Sequence, residues 1–506
     1  MKLKRGLYLC HRWLGVGMSL FLTMWFFSGV VMMYVGFPSL TEAERLHALP
    51  VLKASEVNFN PNRLRAGLKE GDVIRSLRLT SIAGRPVYLL ETIGGTRLQQ
   101  YADNGAIVSA ITESEALATA QAFLSSRSQS QQNASVDIAG TGGGSQAVLA
   151  AKQIEMDQWT VSSSLHAHRP LYQIPLDDAA GTELYVSSVT GEVVRDSTRS
   201  ERTWNWLGAN LHWIYPLQLR RHQQLWYWVI VILSLIGLVS ILTGSIIGIQ
   251  RLRIRKRYRG KDVTPYRGYM KWHHLLGLVS SAFLFTFMFS GLMSMSPWGL
   301  FESRQNFEDL VQSYRQPAIG VTNPVNFLRL QQKIADLGSV KEIRWQWLEG
   351  REYQVLVSAP YDYRTLLPVG WSEKGSMSEL AWQTLIRVMA DYAPTVSKTD
   401  QETLAAYDLY YYSHHQNWRP LPVVRIQFND SDQSWFYIDP RTGELIGQQT
   451  QKDRLQRWLF NGLHSLDFNV LIQHRPLWDG VVIFLCILGF AMSVTSVVIG
   501  CRRLAN

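Results

Sequence analysis

Four apolar stretches limit what this chain can fold into, because each is long enough to cross a lipid bilayer as a helix. They are residues 14–35, 225–249, 275–296 and 477–500. A hydrocarbon core about 30 Å thick needs about 20 apolar residues in a helix. A chain of 506 residues with this pattern is predicted to be a membrane protein, with two large polar blocks, 40–200 and 300–452, outside the bilayer.

The distribution of positive charge predicts which side of the membrane each segment occupies. Lys and Arg number 50 against 40 Asp and Glu, and the excess lies in 1–12, 250–272 and 501–506, beside the apolar stretches. Lys and Arg next to membrane helices favour the cytoplasm, so both termini are predicted to be cytoplasmic and both polar blocks periplasmic. A nucleic-acid-binding protein carries its positive charge on a folded face, so the pattern favours the lipid bilayer as a partner and excludes nucleic acid.

An internal duplication divides the chain into two halves. At an offset of 252, matches run from Tyr185 against Tyr437 to Arg251 against Arg503. At an offset of 262, His11, Gly15, Ser28 and Gly29 match His273, Gly277, Ser290 and Gly291. Each half consists, in order, of a membrane helix, a polar block, a re-entry segment and a second membrane helix. Since both halves run in the same direction, they are predicted to be parallel pseudo-repeats about an axis along the membrane normal, with equivalent residues facing each other.

The polar blocks have the pattern of α+β modules. Short alternating runs predict strands at 87–91, 97–101, 182–187 and 434–438, with turns at Asn104–Gly105, Thr190–Gly191 and Thr442–Gly443. Thr112 and Glu115 have the spacing of a capping box, which predicts a helix from about Thr112 to Leu124. Residues 125–146 are rich in Ser, Gln and Gly and are predicted to be a loop.

Histidines at equivalent positions are the candidate chemical groups. His11 and His273 lie at the cytoplasmic starts of the first and third membrane helices, and Gly15 and Gly277 follow one turn later on the same helix face. Imidazole is a standard axial ligand of haem iron, and glycine leaves room for a flat porphyrin. One such histidine alone is more simply an interfacial residue, and one glycine a packing residue. Their repetition in both halves favours a haem between His11 and His273.

A second histidine pair lies near the opposite face of the membrane. His212 and His464 belong to amphipathic segments, 204–217 and 457–468, just before the return helices. About 30 Å of bilayer separates the two levels, so His212 and His464 predict a second haem. His222 and His474 follow about ten residues later and are weaker candidates, as ligands or as partners of the haem propionates. Their ordinary alternative is an interfacial or helix-capping role.

The other histidines and the cysteines are weaker candidates for a functional site. His274 rivals His273, although the spacing to Gly277 favours His273. His166 with His168, and His414 with His415, lack the carboxylates or cysteines of a metal site and are predicted to be surface residues. The chain has three cysteines, none in the polar blocks, and no CxxC, CxxCH, HExxH or Walker-type motif, which argues against thiol redox chemistry, covalent haem, zincin hydrolysis and nucleotide hydrolysis.

At these residues the chain resembles the PepSY-domain and PepSY-associated transmembrane-helix family, bacterial inner-membrane proteins that include ferrisiderophore reductases. The matching motifs are HRWLG from His11, HHLLG from His273, LHSLDF from Leu463, RPLWD from Arg475, YVSSVTGEV from Tyr185 and YIDPRTGEL from Tyr437. The resemblance implies four membrane helices, two periplasmic PepSY modules, and haem b bound by His11, His212, His273 and His464. Two places depart from the repeat: Thr495 is followed by Ser496 where Thr243 is followed by Gly244, and LHWIY from Leu211 replaces LHSLDF.

The sequence therefore predicts a haem-dependent oxidoreductase that moves electrons from a cytoplasmic or quinol donor to a periplasmic acceptor. A ferric siderophore or another Fe(III) chelate is the acceptor that the resemblance suggests. Two alternatives stay open: a non-catalytic, membrane-anchored PepSY binding module, and a haem conduit that serves a quinone or another metal. The predicted segments are membrane helices at 8–36 and 271–297, PepSY domains at 40–200 and 300–452, a basic cytoplasmic loop at 251–270, and interfacial helices with return helices at 203–250 and 455–501.

Overall fold

The computed structural model describes residues 2–69, 72–134, 147–258, 260–302, 307–316, 326–359, 362–366, 376–392, 395–413 and 418–505. The helices are α1 (Lys2–Met32), α2 (Glu42–Ala48), α3 (Asn62–Arg65), α4 (Glu113–Ala134), α5 (Arg199–Leu207), α6 (Ala209–His212), α7 (Leu217–Arg220), α8 (Gln223–Arg251), α9 (Tyr269–Ser294), α10 (Phe307–Arg315), α11 (Phe327–Leu337), α12 (Met377–Tyr392), α13 (Gln451–Arg457), α14 (Asn469–Ile472) and α15 (Arg475–Leu504). The chain divides into two compact units.

The helical unit consists of Met1–Phe37, Ser200–Glu302 and Lys452–Asn506. Its long helices α1, α8, α9 and α15 are each long and apolar enough to cross a membrane, which confirms the four predicted spans. Helix α1 packs against α8 and α15, and α9 packs against the same two helices. Helices α1 and α9, which carry His11 and His273, therefore lie diagonally across the bundle.

Two glycines allow close packing between neighbouring helices of this unit. A Cβ atom on Gly237 of α8 would lie 2.7 Å from Cε of Met288, and one on Gly489 of α15 would lie 2.4 Å from a ring carbon of Phe26. Both distances are shorter than van der Waals contact, so a larger residue at Gly489 would clash with the Phe26 ring, and one at Gly237 would require the Met288 side chain to move. The two contacts are equivalent under the offsets of 252 and 262.

The sheet unit consists of Pro38–Arg199 and Ser303–Gln451. Its strands are β1 (Ile74–Ile82), β2 (Arg85–Thr92), β3 (Arg97–Tyr101), β4 (Ala147–Val148), β5 (Lys152–Ile154), β6 (Leu171–Asp177), β7 (Glu183–Ser187), β8 (Val193–Ser197), β9 (Glu342–Leu348), β10 (Arg351–Ala359), β11 (Asp362–Leu366), β12 (Lys398–Leu404), β13 (Val423–Phe428), β14 (Trp435–Ile438) and β15 (Leu445–Gln449). They form three sheets, ordered β11-β10-β9-β1-β2-β3, β12-β13-β14-β15 and β4-β6-β7-β8, with β5 paired to β6.

Strands β1 and β9 join the two polar blocks into one sheet. They pair antiparallel in the register Leu77 with Trp345, Arg78 with Arg344, and Leu79 with Ile343. The sequence predicts a separate module from each block, whereas the structure places both blocks in one compact unit with a shared six-stranded sheet. Alternation of apolar residues predicts strands but carries no information about which distant strand is the partner.

A buried ion network lies where the two blocks meet. Arg78 and Arg344 stand opposite each other on β1 and β9, an arrangement that is unfavourable for two cations unless acids lie between them. Glu342, whose side chain is fully buried, contacts Nε of Arg344 at 2.6 Å, Nη1 of Arg45 at 2.7 Å and Nη1 of Arg78 at 3.6 Å. Arg78 also binds Glu192 at 2.8 Å. The network therefore ties residues of the first block to Glu342 and Arg344 of the second.

The predicted local structure of the polar blocks is largely confirmed. The predicted strands correspond to β2, β3, β7 and β14, and Gly105, Gly191 and Gly443 adopt positive φ at the predicted turns. The capping box is present, since the Thr112 amide donates to Glu115 and the Glu115 amide donates to the Thr112 hydroxyl. The loop prediction for 125–146 is wrong in its first part, because α4 continues to Ala134; Ser and Gln are tolerated in helices. Residues 135–146 lie outside the described residues.

Replacement of Glu342 by Gln is expected to lower the free energy of unfolding of the sheet unit by about 3 kcal/mol, because three guanidinium groups lose their buried counter-charge. Urea unfolding of the full-length protein in detergent measures this. The control is Glu308→Gln, whose ion pair with Arg75 at 3.1 Å is between exposed side chains and is expected to contribute under about 1 kcal/mol. Equal losses in the two variants would contradict the role given to the network.

The difference in stability between wild type and Glu342→Gln is expected to depend on pH. Burial alone would raise the pKa of Glu342, but Arg45, Arg344 and Arg78 hold it far below its ordinary value. A carboxylate whose pKa is lowered on folding stabilises the protein above its unfolded-state pKa of about 4.3, and this contribution is lost as the pH falls below that value. The difference between wild type and Glu342→Gln should therefore be constant from pH 6 to 8 and shrink in acid.

Candidate functional site

The structure brings His11 and His273 together as a first imidazole pair. His11 lies in α1 and His273 in α9, and their ring centroids are 6.2 Å apart with the planes 29° from parallel. Each ring is only partly covered by protein atoms. Two imidazoles that are far apart in sequence thus face each other across the bundle.

His212 and His464 form a second imidazole pair. His212 ends the short helix α6, and His464 follows a π-helical turn at Trp458–Gly462. Their ring centroids are 6.0 Å apart, with the planes 74° from parallel. The residue after each histidine is anchored in the same way: Nε1 of Trp226 donates to Trp213 O at 2.9 Å, and Nε1 of Trp478 donates to Ser465 O at 2.8 Å.

A serine near the C-terminal end of α1 and another near the C-terminal end of α9 hold the second pair in place. Nδ1 of His212 lies 3.1 Å from Oγ of Ser28, and Nδ1 of His464 lies 3.0 Å from Oγ of Ser290. Both serines are fully buried. Ser28 gives its own proton to Met24 O at 2.7 Å, so its oxygen accepts from the imidazole. His464 Nδ1 also donates to Phe287 O at 3.2 Å, and a carbonyl can only accept.

The first pair is held by atoms of the return helices. Nδ1 of His11 donates to Ser240 O of α8 at 3.0 Å. Nδ1 of His273 lies 3.3 Å from the hydroxyls of both Thr495 and Ser496 of α15. Thr495 donates its proton to Met492 O at 2.5 Å, so it accepts from His273.

These contacts assign one tautomer to all four histidines, since carbonyls accept from His11 and His464, and hydroxyls that donate their own protons elsewhere lie beside His212 and His273. In a neutral imidazole whose Nδ1 carries the proton, Nε2 has a free lone pair. Among the described residues, none makes a hydrogen bond to Nε2 of His11, His212, His273 or His464. Each ring therefore presents an unprotonated nitrogen that can bind a metal.

Glycines shape the space around both pairs. A Cβ on Gly29 would lie 3.5 Å from the His212 ring and one on Gly291 would lie 3.8 Å from the His464 ring. A Cβ on Gly244 would lie 2.5 Å from the His11 ring, whereas the equivalent Ser496 reaches His273 with its hydroxyl. This difference accounts for the departure from the repeat at that position.

Gly15 and Gly277, predicted to give clearance, border open space. A Cβ on Gly15 would meet only Ser240 Oγ, at 3.9 Å, and a Cβ on Gly277 would have no described atom within 4 Å. Packing between helices therefore does not require glycine at either position.

His274 is not available as a ligand. Its Nε2 donates to Gly248 O at 2.9 Å, and its Nδ1 accepts from the Thr264 hydroxyl at 2.7 Å. Both ring nitrogens are thus used within the protein. The His274 ring contacts Thr264 and Gly248, whereas the His273 ring faces His11.

The other predicted histidines among the described residues belong to neither pair. His222 and His474 are exposed and occupy the N-cap positions of α8 and α15, where His474 Nδ1 donates to Val470 O at 2.9 Å. His166 is exposed, and His168 contacts Ser187 in the sheet unit. His414 and His415 lie outside the described residues.

The two imidazole pairs lie near opposite ends of the helical unit. His11 and Ser28 are 17 residues apart on α1, which corresponds to about 25 Å along a helix. Aromatic residues of α1 and α9 lie between these levels, with Phe26 packed against Phe283 and Phe287. The described residues contain no group of three or more His, Cys, Asp or Glu side chains that could hold a metal ion. Any metal at either pair therefore needs ligands beyond the two imidazoles.

Ser28, Ser290 and Thr495 are site residues that were not predicted. The repeat already pairs Ser28 with Ser290 and Thr243 with Thr495. A polar residue that recurs at equivalent positions of an apolar helix is the signal that could have identified them.

A family model for the PepSY-associated transmembrane region matches residues 8–326, more than half of the chain. The chain belongs to this family. The match contains His11, His212 and His273, together with the first half and the third membrane helix. A comparison with curated proteins finds no match. Membership in the PepSY-associated family agrees with the four apolar helices and establishes a membrane protein with α+β domains.

Proposed function

We propose that the helical unit holds two haem b groups, one at each imidazole pair, and conducts electrons across the membrane. The observation that carries this proposal is the common state of the four histidines. Each donates Nδ1–H to the protein and leaves Nε2 unprotonated, and the rings meet in two pairs. Hydrogen bonds of this kind, made by the ring nitrogen that does not bind the metal, fix the tautomer and orientation of metal-binding histidines.

The spacing of the rings fits one metal ion per pair. Two imidazoles that bind one ion through bonds of about 2 Å have ring centroids about 6 Å apart. The two pairs measure 6.2 and 6.0 Å. Axial imidazoles complete the coordination of haem iron, whose other ligands come from the porphyrin. This agrees with the lack of further acidic, cysteine or histidine ligands among the described residues.

Connectivity and charge support one orientation in the membrane. Helices α1 and α9 lead into the sheet unit and α8 and α15 return from it, so all four connections leave the end of the bundle that carries the second pair. The termini and the basic residues 251–261 lie at the other end. The proposed orientation puts that end in the cytoplasm, in agreement with the positive-inside rule, and puts the sheet unit in the periplasm of a bacterial inner membrane.

In this proposal the protein positions the cofactors and sets their surroundings. Haem supplies one-electron chemistry when bound. The histidines hold the two levels about 25 Å apart across the apolar layer, and the buried serine and threonine hydroxyls keep the Nδ1 protons in place. The parallel repeat accounts for the similar geometry of the two levels.

The proposed acceptor is a ferric siderophore or another Fe(III) chelate on the side of the sheet unit. Hard oxygen ligands hold Fe(III) much more strongly than Fe(II), so delivery of one electron releases the iron. The resemblance to ferrisiderophore reductases suggests this acceptor.

The haem count is the direct test. Purified wild-type protein is expected to contain two haems per chain by the pyridine-haemochrome assay. His11→Ala and His212→Ala should each contain one, and the double variant none, because each pair loses one axial ligand. His474→Ala, at an exposed N-cap, is the matched control and should keep two. Wild-type protein without a Soret band would leave only a membrane-anchored binding module.

Gly277→Ala tests the porphyrin clearance separately from the ligands. The added methyl group meets no described atom of the protein, so the helical unit should fold, whereas a porphyrin along α9 would be displaced and the haem count should fall towards one. Gly17→Ala in α1, also without a neighbour within 4 Å, is the control and should keep two haems. An unchanged count in Gly277→Ala would show that no porphyrin lies against this face.

The acceptor is tested by reoxidation. Protein reduced with dithionite and then desalted under anaerobic conditions should be reoxidised by a ferric hydroxamate or catecholate chelate, seen as loss of the reduced haem bands with formation of Fe(II). His212→Ala should slow this reaction at least tenfold, because it removes the level nearest the sheet unit. Equal rates with the gallium chelate, which cannot accept an electron, would exclude electron transfer to the metal.

A further inference from the structure

We propose that residues 252–268, here named the basic loop, form the docking surface for a small acidic protein that donates electrons to the first imidazole pair. The proposal rests on the proposed function, since it concerns the source of the electrons. It is carried by three observations: the loop is folded, it contacts α9 directly and adjoins the Arg251 contact with α1, and its surface is strongly positive around an exposed apolar residue.

The basic loop has a defined structure on both sides of Arg259, which lies outside the described residues. The Arg253 amide donates to Val263 O and the Tyr258 amide donates to Asp262 O, both at 2.9 Å. These bonds close a hairpin-like turn. Thr264 is buried and bonds to His274. A loop that served only as a flexible connection would not need this internal bonding.

The loop contacts α9, and the residue before it contacts α1. His274, the neighbour of His273, bonds to Thr264 of the loop and to Gly248 O of α8. Arg251, the last residue of α8, donates from Nε at 2.6 Å to the hydroxyl of Tyr8, one turn before His11 on α1. A protein bound to the loop would therefore sit directly over the end of the bundle where His11 and His273 meet.

The charge of the loop selects an acidic partner. It contains seven Arg and Lys residues and one acid, Asp262. Asp262 is neutralised by Lys271 at 2.7 Å, while Arg255, Lys256 and Arg257 are exposed. Ile254, which stands between Arg253 and Arg255, is 69 % exposed. An apolar centre with a charged rim is the usual composition of a protein docking surface, and its charge steers association with a partner of opposite sign.

An electron donor is favoured over anionic lipid as the occupant. Lipid accounts for positive charge near a membrane, but the proposed function requires a source of electrons, and the sequence contains no nucleotide-binding motif for a flavin or nicotinamide of its own. The step needs no bond change or proton transfer. The carrier protein, with a flavin or an iron–sulfur cluster, would lose one electron, and a haem held by His11 and His273 would accept it.

The test compares two reductants on the full-length protein in nanodiscs of zwitterionic lipid. Photoreduced flavodoxin serves as the acidic carrier, and the methyl viologen radical cation as a small donor of opposite charge. The variant Arg255→Gln/Lys256→Gln/Arg257→Gln leaves Arg251, Arg253, Lys261 and Arg267 to maintain the orientation in the membrane. The control variant Lys53→Gln/Arg63→Gln/Lys69→Gln removes three exposed charges from the sheet unit.

At low ionic strength, the loop variant should be reduced by flavodoxin about tenfold more slowly than wild type. The rates should converge near 0.5 M salt, where the Debye length is only about 4 Å. Reduction by viologen should not slow, and the control variant should behave as wild type.

Each other outcome overturns the inference in a distinct way. If flavodoxin reduces the haem at the same rate in wild type and in the loop variant, the docking surface is contradicted and the proposed function is not. A difference that appears only in nanodiscs with anionic lipid assigns the loop to lipid. A wild-type protein with no haem band that viologen can reduce contradicts the proposed function, and with it this inference.

Discussion

Hydrogen bonds to the Nδ1 atoms of four imidazoles are the interaction on which the candidate site depends. A polar group inside an apolar helix bundle is costly unless it is paired. The chain meets this need with carbonyls, at Ser240 and Phe287, and with hydroxyls whose own protons are already donated, at Ser28 and Thr495. Pairing on one side of each ring is what leaves the other nitrogen free. The same contacts therefore stabilise the folded bundle and leave one nitrogen of each ring available to bind a metal.

The two levels share a scaffold but are not identical. The rings of the first pair are 29° from parallel and those of the second are 74°. Gly244 lets the His11 ring lie against α8, while Ser496 at the equivalent position adds a hydroxyl beside His273. Hydrogen bonds and ring orientation influence the properties of a bound metal. A duplicated frame with such local differences can give two sites of unequal potential, which a directional transfer of electrons requires.

Patterns that depend on neighbours in the sequence were predictable, and contacts between distant residues were not. Hydropathy predicted α1, α8, α9 and α15, and the repeat predicted which histidines are equivalent. The extent of α4 was underestimated because Ser and Gln are compatible with both loop and helix. The pairing of β1 with β9, and the burial of Glu342 between arginines of the other block, could not be read from alternation. Residues such as Ser28 were visible in the repeat, but their role depends on a re-entry segment that folds back 184 residues later.

The surroundings of the imidazoles fit the proposed conduction of electrons. The described residues contain no group of three or more His, Cys, Asp or Glu side chains that could hold a metal ion. What the protein offers is two fixed nitrogens per level and a layer of aliphatic and aromatic side chains between the levels. In the proposed function, electrons would have to cross this apolar layer between the two levels.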